Sequence, residues 1–163
     1  GIAIIRLGGT SETQLRERKE RATDALNAAR AVAEEGVLPG GGVSLLRASH
    51  ALSKINAKSE DQMMGIQIMR QALAAPSRQI VANAGADPSY VVARILESDD
   101  PNWGYDAQTG QYCDLVEAGI IDPTKVVKTA LSYATSASIS AITTEAAIAD
   151  SKNQEAEFTP TKF

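Results

Sequence analysis

Asp24, Asp106 and Asp122 are the carboxylates of this chain whose surroundings suit chemistry, and Gly40-Gly41-Gly42 is the stretch where a ligand could approach bare backbone. At ~100° per residue, Asp24 lies roughly opposite Leu26 on a helix and shares its face with Ala28 and Ala31. Small flanking residues let another surface come close to the carboxylate. A solvated helix Asp near Arg21 and a functional acid are both compatible with that spacing. The glycine run can take positive φ and let backbone meet a flat ligand. Amides at a helix start beyond it would favour an anion. The run is neither a Walker A loop, since the Lys-Ser/Thr pair is missing, nor GxGxxG; a plain hinge between helices is the alternative.

Asp122 stands before Pro123. Its side chain can cap a helix with Pro in the first turn, or accept hydrogen bonds from a sugar's hydroxyl pair. Asp106 heads Asp106-Ala-Gln-Thr-Gly110, and Asp is a good turn former. His50 reads as a packed or exposed mid-helix residue, and Cys113 as a small apolar side chain with no histidine near it in sequence. The glycine run and the distant acids together suggest a nucleotide site assembled from separated segments.

Bulk composition narrows the class. The 163 residues suit one domain, or one domain and an appendage, with a real core. At 44% hydrophobic and 22% charged, the composition argues against a disordered chain. Lys+Arg 16 against Asp+Glu 20 gives a net charge of −4, which argues against a general nucleic-acid or anionic-membrane surface. One cysteine forms no internal disulfide and fits a reducing compartment. One Cys and one His make no zinc site, whereas Mg²⁺ needs only one or two protein oxygens beside a phosphate. Thr129 to Thr144 is too short and hydroxyl-rich to span a bilayer. A first residue of Gly1, already inside an apolar run, suggests processing or a piece of something longer.

The elements that must position these residues follow from periodicity and punctuation. Ile2 to Ile5 reads as a strand within Gly1 to Arg6, closed by Gly8-Gly9. Ser11 with Gln14 makes a capping box for a helix from about Glu12 to Glu35, stopped by Gly36. Leu15, Ala22, Leu26, Ala29 and Ala33 form its expected inner face, and charged residues 16–21 should project into solvent. A second helix spans Val43 to Lys54. Ser59 with Gln62 caps a third, and Pro76 should begin a fresh one that ends at Gly85. Asp87-Pro88 caps a helix to about Leu96. Trp103 to Cys113 is a hairpin, and Asp114 to Ala118 a helical turn. Asp122-Pro123 opens a last helix to about Thr143, apolar nearly all round and so expected to be buried. Ala146 to Ala149 reads as a short strand, and residues from about 150 as a frayed tail.

Five collinear runs resemble the C-terminal part of a GroEL-type (group I) chaperonin large subunit. They are Arg16 to Leu26, Val32 to Val43 with the triple glycine, Ala75-Pro-Ser-Arg-Gln-Ile80, Gly104-Tyr-Asp-Ala107 and Gly119-Ile-Ile-Asp-Pro-Thr-Lys125. The resemblance covers nearly the whole chain. It implies a mainly α, multi-helical fold: residues 1–35 as the returning strand and long helix of the intermediate domain, and residues 36–163 as the C-terminal half of the equatorial ATP-binding domain, with a small β-hairpin. It further implies that Asp24 orients the water attacking the γ-phosphate of ATP, and that Gly41, Asp106, Ala107 and Asp122 contact the nucleoside. Relatives often carry Asn at the position of Asp106; Asp keeps the acceptor and loses the donor.

The family's Asp-Gly-Thr-Thr-Thr phosphate and Mg²⁺ loop has no counterpart here, nor does its apical client-binding domain. The implied whole is an ATP hydrolase coupled to protein folding, with homo-oligomeric rings, a co-chaperonin and unfolded clients as partners, in the cytoplasm or in a mitochondrial or plastid matrix. The implied piece is inactive alone, and its last strand, lacking a neighbour, should invite pairing with another copy. A self-standing helical interaction module, or a small enzyme using Asp24 and Asp122 as an acid–base pair, are the readings from other classes.

Overall fold

In the computed structural model, residues 1–148 are described, and the chain divides into two compact units, residues 1–130 and residues 131–163. Helix α1 spans Glu12–Glu35. Ser11 Oγ accepts from the Gln14 amide at 3.2 Å, while Gln14 Oε1 accepts from the Thr10 amide at 2.9 Å. The reciprocal half of the capping box thus falls one residue earlier than the usual pattern. Gly36, at φ 79°, ends the helix and donates to the Val32 carbonyl at 2.8 Å. Residues 1–9 form no strand. Ile2, Ile4 and Ile5 are 70–96% exposed, because an apolar run needs a ladder partner and finds none among the described residues.

The inner face of α1 differs from the expected one. Ala31 is its buried residue, with Ala28 and Val32 half-buried, whereas Leu26, Ala29 and Ala33 are exposed. The lower part of α1 packs against strand β4, Ile121–Pro123, and small side chains permit that approach where leucines would not.

Strand β1, Val37–Pro39, pairs antiparallel with β4, placing Leu38 opposite Asp122. Helix α2, Val43–Ala48, continues as a 3₁₀ segment over Ser49–Lys54. Helix α3 runs unbroken over Glu60–Asn83, so Pro76 lies inside it instead of opening a new helix. Pro76 has no amide to give the ladder. Buried Leu73, Ser77 and Val81, spaced by four, carry one packed stripe across it and hold both halves in line. Helix α4, Pro88–Glu97, is capped by Asp87, whose carboxylate accepts from the Ser89 and Tyr90 amides.

Strands β2, Trp103–Asp106, and β3, Gln111–Asp114, form the expected hairpin. The core gathers Val43 and Leu46 of α2, Val81 of α3, Val91, Val92 and Ile95 of α4, and Leu115 after the hairpin.

Helix α5, Thr124–Ile142, has no buried residue, against the expectation of burial all round. Val126, Ile139 and Ile142 are 52%, 56% and 79% exposed. Four of its hydroxyls, those of Thr135, Ser136, Ser138 and Ser140, donate to carbonyls one turn back, Thr135 to Leu131 and Ser138 to Ala134 both at 2.8 Å. Residues 146–148 are not a strand, and Ala149 and the expected frayed tail lie outside the described residues.

Candidate functional site

The glycine run ends up between three segments, and each glycine does something different there. Gly40 donates to the Ile120 carbonyl at 2.9 Å, and a Cβ on it would sit 3.2 Å from that carbonyl. This glycine allows β1 and β4 to close up. Gly42, at φ +74°, lies so close to α3 that a Cβ would stand 2.7 Å from the Ser77 nitrogen. Gly41, at φ +64°, is the one with room, since a Cβ would have the Tyr105 carbonyl oxygen at 3.9 Å as its nearest neighbour. Its backbone therefore borders the residue immediately before Asp106.

Asp106 is half-buried, and its carboxylate is engaged by its own turn. Oδ1 accepts from the Gln108 amide at 2.9 Å and Oδ2 from the Thr109 hydroxyl at 2.7 Å. The Thr109 hydroxyl first, and the Gln108 amide second, hold its pKa below the ordinary carboxylate value. An ionised carboxylate has about four lone-pair sites, so two bonds leave acceptor capacity over. Ala107 follows, half-buried, at the turn. The turn-forming role read for Asp106 is realised, and it fixes where Ala107 sits.

Asp122 does not cap α5. It is the middle residue of β4, and no donor reaches its carboxylate among the described residues. Burial alone pushes its pKa above the ordinary value. A partly desolvated carboxylate without a partner is an acceptor that a ligand's hydroxyls would suit. It stands opposite Leu38, three residues before Gly41, so β-pairing ties it to the glycine turn.

Asp24 is exposed and twelve residues before Gly36, about 18 Å along the helix at 1.5 Å per residue. The structure does not bring it into the Gly41 cluster. It does line up, at helical spacing, with Ala28, Ala31 and Glu35, the face that packs lower down. A shallow groove on α1 is lined by Arg16, Lys19, Glu20, Thr23 and Asp24.

Two features carry no signal in the sequence. The β1–β4 pair consists of three-residue strands, too short for any alternation to register. Arg47 reaches from α2 to the end of α4, the loop ahead of β2 and the first residue of β2, where its guanidinium donates to the carbonyls of Ser98, Asp100 (2.7 Å) and Trp103 (3.5 Å). An arginine after two leucines in a helix says nothing of that reach. Among the described residues, no three His, Cys, Asp or Glu side chains gather as a metal site, and no helix is long and apolar enough to cross a membrane.

The family model of the TCP-1/cpn60 chaperonin family matches residues 1–152. Among solved structures, the chain is similar to the crystal structure of a group III chaperonin in the open state. The TM-score is 0.77, with 25% sequence identity, over 87% of this chain. This chain spans 30% of that one.

Proposed function

The chain belongs to the TCP-1/cpn60 chaperonin family, and from that premise we propose that it is the C-terminal part of an ATP-dependent, GroEL-type chaperonin subunit that assists protein folding. Residues 1–35 belong on this reading to an intermediate domain, and residues 36–163 to an equatorial domain. Gly41, Asp106, Ala107 and Asp122 contact the nucleoside, and Asp24 orients the attacking water. The whole protein assembles into homo-oligomeric rings that receive unfolded clients and a co-chaperonin, in the cytoplasm or an organelle matrix.

The observation that carries this reading is the meeting of the glycine turn, hairpin and β4. Gly41 borders the Tyr105 carbonyl, while Asp122, half-buried and without a donor among the described residues, is tied to the same turn by β-pairing. These residues fit an adenosine. The bare backbone at Gly41 admits a flat base or sugar, the spare lone pairs of Asp106 can accept from an exocyclic amine, and the Asp122 carboxylate can accept from a hydroxyl pair. Bound Mg²⁺ and ATP would supply the transferable phosphoryl group. Their cradle, the Asp-Gly-Thr-Thr-Thr loop of relatives, has no counterpart in the sequence.

In phosphoryl transfer most stabilisation comes from that cradle and the metal. The chain by itself therefore binds adenine nucleotide weakly and does not turn it over at the rate of an intact ring. Asp24 contributes position only: a carboxylate on a helix whose packed face it shares, able to accept a hydrogen bond from the attacking water and orient it when α1 brings it near.

Calorimetry with ATP and Mg²⁺ on the wild-type chain, Asp24→Ala and Asp122→Ala tests the reading. Asp122→Ala should weaken binding about tenfold, equivalent to ~1.4 kcal/mol, while Asp24→Ala leaves it unchanged. No binding heat from the wild type at millimolar nucleotide would overturn the proposal in favour of a helical interaction module.

A further inference from the structure

We propose that Arg47 is a positioning residue for the nucleoside site, a clamp that sets how far the Asp106-Ala107 turn stands from the Gly41 turn; the inference rests on the nucleotide reading above. Three contacts run in order along the glycine turn with α2 on one side and β2 on the other. Gly41 borders the Tyr105 carbonyl. Val43 Cγ2 packs over Gly104, where an added Cβ would meet it at 3.0 Å. Arg47 donates to the Trp103 carbonyl at 3.5 Å and, further back, to those of Asp100 and Ser98. The strand thus lies antiparallel along the helix. At one end, next to the glycine turn, there is space; at the other there is a three-carbonyl grip.

The grip is well suited to fixing an angle. A guanidinium is planar, permanently charged and carries five donors in a rigid fork. Its acceptors here are main-chain carbonyls, so it holds the backbone itself. The loop it holds is already stiffened from within, since Asp100 Oδ1 accepts from the Asn102 amide at 2.9 Å. The Asn102 carbonyl in turn accepts from the Leu115 amide at 2.9 Å, which ties in the far end of the hairpin. Ala107 lies four residues beyond Trp103, about 13 Å of strand at ~3.3 Å per residue. Over that lever, a pivot of ~5° at Trp103 displaces Ala107 by about 1 Å, enough to spoil a base contact. Arg47 touches no expected ligand position, and acts through the hairpin.

The test compares wild type with Arg47→Lys, titrating each isotope-labelled full chain with ATP and with GTP by NMR and melting each without nucleotide. Lysine keeps the charge as a single point and cannot span three carbonyls. The Lys variant is expected to stay folded, to weaken for ATP about fivefold, and to change less than about twofold for GTP, so that its preference for adenine shrinks. Unaltered ATP affinity and preference, with only a lowered melting temperature, would overturn the positioning role and leave Arg47 a structural tie. Should Arg47→Lys fail to fold, Asp100→Ala decides the matter. It loosens the same loop from an exposed position, and must show the same selective loss, at about two- to threefold, for the inference to stand. A wild-type chain that binds neither nucleotide overturns the nucleotide reading, and this inference with it. A wild-type chain that prefers ATP beside an unchanged variant overturns this inference alone.

Discussion

Asp122 and Asp106 are perturbed in opposite directions, for opposite reasons. Burial raises the Asp122 pKa, so folding makes its protonation easier than it is in the unfolded chain. Its contribution to stability is then present below the ordinary value of 3.8 and is lost as pH rises through the raised folded value. Asp122→Asn should therefore melt at a higher temperature than wild type at neutral pH, and the difference should vanish in acid. The same variant should bind ATP about tenfold more weakly, having lost a charged acceptor. A variant that lost both stability and affinity would indicate a structural carboxylate. Asp106 follows the other sign: stability present above 3.8 is lost as pH falls through its lowered folded value. Thr109→Val should bring its pKa back towards the ordinary value, as read by carboxyl NMR titration. The turn role of Asp106 was legible because a local Asp-to-Gly pattern encodes it. The strand position of Asp122 was not, because the partner that defines it, Leu38, lies far upstream.

Packing decides where the elements depart from local rules. Gly42 combines positive φ with backbone contact to Ser77, so Gly42→Ala should cost about 2–4 kcal/mol in denaturant unfolding. A loss below about 0.5 kcal/mol would mean that α2 and α3 can slide apart at no cost. Helix caps at Ser11, Ser59 and Asp87 and the hairpin were readable, since each is written in consecutive residues. The inner face of α1 and the continuity of α3 through Pro76 were not, since both depend on what lies across from them. At the foot of α1, Glu34 pairs with Lys125, Glu35 with Lys128 at 3.0 Å, and the Gly36 carbonyl accepts from the Thr124 amide. Exposed pairs of this kind are worth about 0–1 kcal/mol. Lys125→Ala with Lys128→Ala should leave the unfolding midpoint nearly unchanged and should increase hydrogen exchange at the last turn of α1; exchange equal to wild type would show that β1–β4 pairing alone holds the helix.

On the scale of the whole molecule, much apolar surface remains uncovered. Met63, Met64 and Ile68 of α3, and Tyr133, Ile139 and Ile142 of α5, are each more than half exposed. Surface of that character drives association. Light scattering should show species larger than a monomer as concentration rises, and a clean monomer at high concentration would count against it. The mainly α architecture was legible from punctuation and periodicity, whereas burial was not, because periodicity identifies an apolar face without saying what covers it.

If Gly41, Asp106, Ala107 and Asp122 surround one adenosine, a photoreactive nucleotide should mark the three segments that carry them. The chain is irradiated with an azidoadenosine triphosphate, digested, and its modified peptides identified by mass spectrometry. Label concentrated in the peptides carrying Gly40 to Gly42, Gly104 to Gln111 and Ile120 to Pro123, and suppressed by excess ATP, is the predicted result. Suppressible label that avoids all three and settles instead in the groove between Ala57 and Gln67 would place the adenosine elsewhere and rule out the glycine-turn site.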